Sequence, residues 1–413
     1  MKTAYDTLEG RGLIENVTDE AAVRKMLAHK PVTFYVGFDP TADSLHVGHL
    51  LPIMAMAHLQ RAGHRPIAVV GGGTGMVGDP SGKTELRNLL TPDQIDANLE
   101  AQKKQLRHFL KFDTGADNAA LMINNADWLE PLNYIEFLRD VGVHFTVNRM
   151  LAAECFKQRW EKGLTFIEFN YMLLQAYDFL TLYRREGCAL QLGGNDQWGN
   201  ILAGCDLTRR VEGADVHGLV VPLLLTSGGN KMGKTESGAL WLSAEKTSPY
   251  DFYQYWRNVD DPDVERCLRM LTFLPMAEVR SLASAEPSPA LNESKKRLAF
   301  EITALVHGED AAKKAEAGAA ALFDGGGEPA EGIPTLELNS STLDAGIAII
   351  DAIVVLGLTK TKSDARRLIQ QGGAYVNGDR VDSIERTLTT AEIQDGRILI
   401  RAGKKKHGRI LVE

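Results

Sequence analysis

Two histidines occur three residues apart in the segment Pro40-Thr-Ala-Asp-Ser-Leu-His-Val-Gly-His49, between a predicted strand and a predicted helix. This spacing places His46 and His49 on one face of the first helical turn. Backbone N–H groups and the helix dipole favour an anion there, and imidazoles can donate further hydrogen bonds to phosphate oxygens. Gly48 leaves a flat backbone against which a purine can lie. Two surface histidines, or a metal pair without an evident third ligand, remain as alternatives.

A pair of lysines follows much later in Lys231-Met-Gly-Lys-Thr235, just after the last predicted strand of the sheet. The glycines and polar residues around this segment indicate a mobile loop. Two ammonium groups on such a loop can close over a triphosphate and stabilise the charge that develops on the departing pyrophosphate. Taken alone, the loop is better interpreted as solvated and basic. Its combination with the histidine segment favours a nucleotide site.

Three polar side chains share one face of a later predicted helix. Tyr171, Gln175 and Asp178 are spaced i, i+4 and i+7, which aligns them along the helix. For an isolated helix, the default interpretation is a core tyrosine and two exposed polar residues.

Glycines between 71 and 82 imitate two nucleotide-binding motifs. The three that begin with Gly73 match GxGxxG, but an Asp-Pro pair interrupts the helix that should receive a pyrophosphate. Gly82-Lys83-Thr84 ends like a phosphate-binding loop with one residue too few before it. We therefore interpret these glycines as turn formers. Asp79, Lys83 and Arg87 nevertheless follow a strand at the end where open α/β sheets bind ligands.

The elements that must position these residues form a strand–helix–strand pattern over 32–38, 48–62 and 66–72. This order predicts a βαβ unit of a parallel sheet and an α/β, Rossmann-like fold. Further helices are predicted over 92–111, 131–160, 167–184 and 196–212, further strands over 189–192 and 219–225, and mostly helix over 248–323.

Composition sets broad limits on the class of protein. The chain has 413 residues, of which 44% are hydrophobic and 24% charged, which predicts two or three globular domains. The N-terminal residues carry acids without an apolar core, and no run of about 18 apolar residues suggests a membrane span. The four cysteines form no CxxC pair, so we expect free thiols, a reducing cytoplasm and no metal site.

Charge is divided unequally along the chain. The net charge is −8, yet residues 357–413 carry 12 basic and 7 acidic residues, a net +5, which leaves −13 for the rest. A basic C-terminal domain that meets a polyanion and a solvated basic face explain this asymmetry equally well.

The C-terminal region has a recognisable local pattern. Thr361–Gly372 predicts a short helix from which Arg366 and Arg367 project. A hairpin follows with Asn377-Gly378 as its type I′ turn. Lys404-Lys-Lys406 joins two further predicted strands, over 398–401 and 408–412.

Together, the histidine and lysine segments resemble the "HIGH" and "KMSKS" signatures of class I aminoacyl-tRNA synthetases. The chain further resembles bacterial-type tyrosyl-tRNA synthetases over nearly its whole length. The segments that carry this resemblance are Tyr35–His49, Gly78–Lys83, Tyr171–Asp178 and Gly193–Asn200. The C-terminal pattern resembles the S-four type of RNA-binding domain that ends the bacterial enzymes.

The resemblance implies a role for each matching residue. It assigns the substrate phenol to Tyr35 and Asp178. It assigns the ammonium group to Asp79, Tyr171 and Gln175, and the carboxylate to Gln197. It assigns ATP to Asp39, Gly48, His49 and Asp196, and the polyphosphate to Thr41, His46, Lys83, Arg87, Lys231, Lys234 and Thr235. It assigns RNA to Arg366, Arg367, Lys404, Lys405 and Lys406.

The resemblance also implies a domain plan. It consists of a catalytic domain over 1–225 with an inserted helical segment near 112–165, a lysine loop and helical tRNA-binding domain over 226–323, a linker over 324–345, and an RNA-binding domain over 346–413. The implied substrates are L-tyrosine, ATP with accompanying Mg²⁺, and tRNA(Tyr), without a tightly bound cofactor. The tyrosine carboxylate is the nucleophile, and a homodimer forms through the segment near 131–153.

The chain departs from familiar members of this family at three positions. Val36 replaces a cysteine that contacts the ribose in some members, Pro52 lies within the first helix, and Gly233 replaces a serine in the lysine loop. Two rival functions remain open. One is a synthetase for another aromatic amino acid, such as tryptophan, and the other is a catalytically inactive, RNA-binding paralogue.

Overall fold

The computed structural model describes residues 2–29, 31–79, 91–112, 115–153, 156, 163–235, 238–284, 289–323, 334–394, 396–403 and 406–412. The chain divides into two compact units. The first comprises Met1–Thr235, Ala239–Thr247 and Trp256–Gly308, and the second comprises Glu236–Gly238, Ser248–Tyr255 and Glu309–Glu413.

The first unit is built on a six-stranded sheet. Its strands are β1 (Asn16–Val17), β2 (Thr33–Phe38), β3 (Arg65–Val70), β4 (Leu121–Asn124), β5 (Cys188–Gly194) and β6 (His217–Val221). They lie in the order β1-β6-β5-β2-β3-β4. All neighbours pair in parallel except β1, which runs antiparallel to β6 at one edge. The predicted parallel α/β sheet is therefore confirmed.

Helices connect and cover these strands. They are α1 (Ala4–Gly10), α2 (Glu20–His29), α3 (Leu50–Arg61), α4 (Gly72–Gly75), α5 (Pro92–Leu106), α6 (Ala126–Leu129), α7 (Tyr134–Asp140), α8 (Val147–Leu151), α9 (Phe166–Glu186) and α10 (Trp198–Glu212). Short 3₁₀ turns occur at Val47–His49, Gly142–His144, Asn195–Gln197 and Asp261–Asp263. The chain continues through two-residue strands β7 (Lys234–Thr235) and β8 (Gly238–Ala239) and helices α11 (Pro249–Arg257), α12 (Val264–Leu271), α13 (Met276–Ala283) and α14 (Pro289–His307).

The central strands and α9 owe their form to local sequence. Strands β2 and β3 are buried along most of their length, as expected for strands covered on both faces. Helix α9 begins at a capping box formed by Thr165 and Glu168 and ends at Gly187 in the left-handed conformation, with φ of 62°. These two caps fix where the helix that carries Tyr171, Gln175 and Asp178 begins and ends.

The second unit contains helix α15 (Glu309–Phe323) and a small α+β fold. Strands β9 (Thr335–Leu338), β11 (Ala374–Val376), β12 (Asp379–Arg380), β14 (Arg397–Ala402) and β15 (Lys406–Val412) form a sheet in the order β12-β11-β14-β15-β9. Strands β10 (Ile347–Ala348) and β13 (Thr387–Leu388) form a separate pair. The helices are α16 (Ser340–Asp344), α17 (Ile349–Val355) and α18 (Lys362–Gln370), with a 3₁₀ turn at Thr390–Glu392. Asn377 and Gly378 have φ of 49° and 92°, which confirms the type I′ turn.

Two predictions about local structure were wrong. The segment 112–165 is not wholly helical, because β4 pairs with β3 inside it. A short apolar run such as Leu121-Met-Ile carries no periodicity that separates strand from helix. The expected linker over 324–345 contains β9, which pairs with β15. The alternation Thr335-Leu-Glu-Leu338 turns Leu336 and Leu338 towards the core of this small fold.

Candidate active site

A cavity of about 450 Å³ lies in the first unit at the carboxyl ends of β2, β3 and β5. It brings together residues that the sequence analysis selected from five separate segments. These are Tyr35, Asp39, Thr41, His46, Gly48, His49, Asp79, Tyr171, Gln175, Asp178, Asp196, Gln197, Lys231 and Lys234. Lys83 and Arg87 lie outside the described residues, and only the backbone of Thr235 is described.

One end of the cavity holds a buried carboxylate. Asp178 is 4% exposed and accepts hydrogen bonds from Asn125 Nδ2 at 2.9 Å and Trp128 Nε1 at 2.8 Å. Burial raises the pKa of Asp178 to about 7, the two hydrogen bonds oppose that rise, and the negative charge of Asp39 adds to it. The side chain of Asp178 is thus held in one orientation by two donors.

A phenol faces the same end. Tyr35 is 1% exposed, and within the described residues its hydroxyl oxygen has no hydrogen-bond partner. Burial raises the pKa of Tyr35 well above its usual value, and the nearby Asp178 raises it further. Tyr35 therefore remains protonated and can donate at any working pH.

Asn125 connects this carboxylate to the glycine run that the sequence analysis interpreted as turns. Its Nδ2 also donates to Thr74 Oγ1 at 2.9 Å, and its Oδ1 accepts from the N–H of Gly73 at 2.8 Å. A side chain at Gly72 would collide with Asn124, because its Cβ would lie 2.1 Å from Asn124 Oδ1. The run of glycines therefore lets β4 and its following residues approach α4 closely.

Beside the phenol end, polar side chains from three segments form a chain of hydrogen bonds. Gln197 Nε2 donates to Asp79 Oδ2 at 2.7 Å, and Asn200 Nδ2 donates to Gln175 Oε1 at 3.0 Å and Gln197 Oε1 at 3.3 Å. Asp79 and Asn200 are buried. This arrangement presents a carboxylate and amide oxygens to a cation and an amide N–H to an anion.

The two imidazoles are held against each other by backbone hydrogen bonds. The N–H of Gly48 donates to His46 Nδ1 at 3.0 Å, the N–H of His46 donates to His49 Nδ1 at 3.1 Å, and the ring centroids lie 4.0 Å apart. Because each Nδ1 accepts a hydrogen, each neutral ring carries its proton on Nε2. Burial lowers the pKa of His46, with a contribution from Lys231, and lowers the pKa of His49 to about 3. Both rings are therefore neutral donors.

The lysine loop attaches directly to this histidine segment. The N–H of Leu240 donates to the carbonyl of Gly233 at 2.7 Å, and the N–H of Val47 donates to the carbonyl of Leu240 at 3.0 Å. Gly233 has φ of 79°, and its Cβ would lie 3.0 Å from Val47 Cβ. Glycine suits this backbone and this close approach, so the departure at Gly233 is compatible with the fold.

Three residues that organise the site were not predicted from the sequence: Asn125, Trp128 and Asn200. The first two immediately follow β4, and the carboxyl ends of parallel strands are where ligand-binding residues gather. Recognising 121–124 as a strand would have drawn attention to them. Asn200 lies three residues after Gln197 on the same turn, a spacing that also predicts neighbouring side chains.

The expected RNA-binding residues lie in the second unit. Arg366 and Arg367 are exposed on α18, and Arg367 pairs with Asp364. Lys406 is exposed, and its ammonium donates to the carbonyl of Leu358 at 3.1 Å. Lys404 and Lys405 lie outside the described residues.

The chain is similar to known proteins over its whole length. Residues 27–324 match the family described as "tRNA synthetases class I (W and Y)", and residues 328–410 match the "Tyrosine--tRNA ligase SYY-like C-terminal domain". The chain is 56% identical over 411 residues to the tyrosine–tRNA ligase of Caldanaerobacter subterraneus and 55% identical over 413 residues to that of Clostridium botulinum, with 100% of each chain covered.

Solved structures agree with these matches. A C-terminally truncated mitochondrial tyrosyl-tRNA synthetase of Aspergillus nidulans matches with a TM-score of 0.70 and 32% identity, over 78% of this chain and 95% of that one. A tryptophanyl-tRNA synthetase of Encephalitozoon cuniculi shares the fold, with a TM-score of 0.55 and 14% identity over 75% of this chain and 87% of that one. Fold and site together define a class I tRNA synthetase of the tryptophan and tyrosine type. Within that class, the chain belongs to the tyrosine–tRNA ligase family.

Proposed function

We propose that this chain activates L-tyrosine with ATP and then transfers the tyrosyl group to tRNA(Tyr). The observation that carries this proposal is the pairing of a buried, doubly hydrogen-bonded carboxylate with a buried phenol in the same cavity as two imidazoles and two lysines. The first pair can read a hydroxyl group, and the second set can stabilise a polyphosphate.

The phenol end supplies both hydrogen-bonding partners that a tyrosine side chain requires. Asp178 accepts from the substrate hydroxyl, and Tyr35 donates to its oxygen. Phenylalanine would leave the buried carboxylate without this third donor, and an indole has no hydroxyl to share between the two residues. Leaving a buried acceptor unsatisfied costs roughly 1–3 kcal/mol, so the pocket favours tyrosine over both.

The remainder of the amino acid fits the neighbouring polar chain. Asp79, Tyr171 and Gln175 surround the place for an ammonium group, and Gln197 can orient the carboxylate towards the nucleotide. The tyrosine carboxylate then attacks the α-phosphate of ATP, and pyrophosphate leaves. No side chain must act as a base, so catalysis consists of alignment and charge stabilisation.

The other end of the cavity meets the nucleotide. In this proposal His46, His49, Lys231, Lys234 and Thr41 stabilise the phosphates, while Asp39, Gly48 and Asp196 hold the adenosine. The family resemblance assigns Lys83, Arg87 and Thr235 to the phosphates as well. The Nε2–H groups of the imidazoles donate without bringing a buried charge of their own. Mg²⁺ arrives with ATP and screens the phosphates without a protein cage.

The decisive experiment is ATP–pyrophosphate exchange measured with each of the twenty amino acids. We expect exchange with tyrosine at a kcat/KM at least 100-fold above that of any other amino acid, consistent with several buried hydrogen bonds. Preferential exchange with tryptophan would identify the other aromatic specificity. Absence of exchange with every amino acid would support an inactive, RNA-binding paralogue.

The C-terminal sheet and α18 supply the tRNA-binding module in this proposal, through Arg366, Arg367 and Lys404–Lys406. Since β9 pairs with β15, a truncated chain should end before residue 334. We expect it to retain tyrosine-dependent exchange within about threefold. Charging of tRNA should fall at least tenfold, most strongly at low salt, where the lost phosphate contacts contribute most to binding. Undiminished charging would contradict the assignment.

We also propose a homodimer. Seven of the ten large hydrophobic side chains that are exposed among the described residues lie between 134 and 167, including Ile135 at 62%, Val143 at 69% and Phe166 at 70%. Exposed apolar surface of this extent marks an interaction surface. Sedimentation of the wild-type chain should show a dimer and that of Ile135→Asp a monomer. A monomeric wild type at micromolar concentration would reject this interface.

The proposed compartment is the cytoplasm, where ATP and tRNA are available. Cys188, Cys205 and Cys267 are buried free thiols, in keeping with a reducing environment. Across the described part of the chain, the helices are too short or too polar to cross a bilayer.

A further inference from the structure

One face of α5 carries three amide side chains that reach the loop before the imidazoles. Asn98, Gln102 and Gln105 are spaced i, i+4 and i+7 along the helix, which aligns them. Asn98 Nδ2 donates to the carbonyl of Pro40 at 2.8 Å. Gln102 Nε2 donates to the carbonyls of Asp39 at 3.3 Å and Ala42 at 3.2 Å.

The third amide bonds at the end of that loop. Gln105 Oε1 accepts from the N–H of Leu45 at 2.8 Å, and its Nε2 donates to Ser44 Oγ at 2.9 Å. Ser44 is 3% exposed, and its Oγ also accepts from the N–H of Ser243 at 3.1 Å. Ser243 follows the lysine loop, so Ser44 joins three segments at one buried point.

Irregular backbone between 39 and 45 cannot satisfy its polar groups through helix or sheet pairing. Its carbonyls and N–H groups therefore need side-chain partners when they are withdrawn from water. The amide face of α5 provides these partners on one side, and the N–H of Leu242 bonds to the carbonyl of Leu45 at 2.8 Å on the other. Thr41 and His46 lie within or directly after the loop, and both line the cavity.

We propose that the amide face of α5, defined by Asn98, Gln102 and Gln105, positions the 39–46 loop for adenylate formation. The three residues are positioning residues: they act on the phosphates through His46 and Thr41. Their loss should therefore reduce the rate of activation and leave tyrosine recognition at the phenol end unchanged. This inference rests on the proposed activation of tyrosine by ATP.

The test compares Gln105→Leu with Lys104→Leu, the exposed neighbour on the same helix, in tyrosine-dependent ATP–pyrophosphate exchange. A small misplacement of a catalytic group costs on the order of 10- to 100-fold in rate, so we expect kcat to fall by about that factor in Gln105→Leu. The KM for tyrosine should stay within about twofold. Lys104→Leu should alter neither quantity by more than about twofold.

A double-mutant cycle separates positioning from general destabilisation. When His46→Asn has already removed the imidazole donor, adding Gln105→Leu should lower kcat by less than about threefold. Gln105→Glu, which keeps an acceptor for the N–H of Leu45, should show a smaller loss than Gln105→Leu, and it replaces that variant in the cycle if Gln105→Leu fails to fold. Full additivity, or a parallel loss of tyrosine affinity, would overturn the proposal.

The outcomes also separate this inference from the proposed function. If the wild-type chain exchanges with no amino acid, the proposed activation itself is wrong. If the wild type exchanges with tyrosine and Gln105→Leu behaves like Lys104→Leu, only the role of the amide face is rejected.

Discussion

The two ends of the cavity solve different physical problems. At the phenol end, Asp178 is buried and held by side-chain donors from Asn125 and Trp128. At the phosphate end, the imidazoles are held mainly by backbone N–H groups of their own short segment. The first arrangement joins elements that are far apart in sequence. The second depends on the exact path of one loop.

This difference matches the demands of the two ligands. A phenol is neutral, so its recognition requires a rigid acceptor that is already withdrawn from water before the substrate binds. When a triphosphate reacts, negative charge develops on the α-phosphate and the departing pyrophosphate. Its stabilisation therefore requires hydrogen-bond donors positioned for the transition state. We therefore expect substitutions at the phenol end to alter specificity and substitutions at the phosphate end to alter rate.

The largest expected effect is that of Asp178→Ala. The variant removes the buried, charged acceptor, so the hydroxyl of bound tyrosine loses its hydrogen bond and is withdrawn from water without an acceptor. Together these losses amount to about 3–5 kcal/mol, which lowers kcat/KM for tyrosine by roughly 100- to 1000-fold or more. The KM for ATP should change by less than about threefold. Steady-state exchange measures both, and near-normal tyrosine kinetics would remove Asp178 from the site.

A smaller effect, on the nucleotide side of the reaction rather than on tyrosine binding, is expected for Gly48→Ala. The added Cβ would lie 2.7 Å from His46 Cε1, so the ring must move from its place. Misplacement of one donor should lower kcat for exchange by roughly 10- to 100-fold, with little change in the KM for tyrosine. Gly10→Ala is the matched control, because nothing lies within 4 Å of its Cβ position. An unchanged kcat in Gly48→Ala would show that the ring position is not critical.

The sequence predicted the phosphate end of the cavity better than the phenol end. His46, Gly48 and His49 are adjacent in sequence, so their spacing alone indicated their common face. The helix spacing of Tyr171, Gln175 and Asp178 indicated a shared face, but taken alone it favoured an exposed Asp178, which is buried.

The residues that donate hydrogen bonds to Asp178 could not be predicted in the same way. Asn125 and Trp128 follow the carboxyl end of β4, and their contact with Asp178 depends on the tertiary packing of a strand too short to show periodicity. The strand β9 was missed for a related reason, since its four residues find their partner β15 about 70 residues later. Local pattern thus indicated the residues that we propose bind the ligands, whereas the residues that fix their positions could be identified only from the assembled sheet.

The smallest expected effect is a pH dependence confined to the phenol end. The pKa of Asp178 is raised to about 7, chiefly by burial, so the carboxyl group is increasingly protonated as the pH falls from 8 to 6. Protonation removes the acceptor that the substrate hydroxyl needs. For a group with a pKa near 7, the apparent affinity for tyrosine should be about tenfold weaker at pH 6 than at pH 8.

Neighbouring groups do not obscure this titration. Tyr35 keeps its proton because its pKa is raised well above the usual value, and His49 is neutral across this range because its pKa is lowered to about 3. Asn125→Leu provides the sharper test. Its hydrogen bond lowers the pKa of Asp178, so removing it should move the midpoint of tyrosine binding to higher pH. Equilibrium binding of tyrosine without ATP measures this midpoint directly, and a midpoint that stays in place in Asn125→Leu would mean that another group governs the titration.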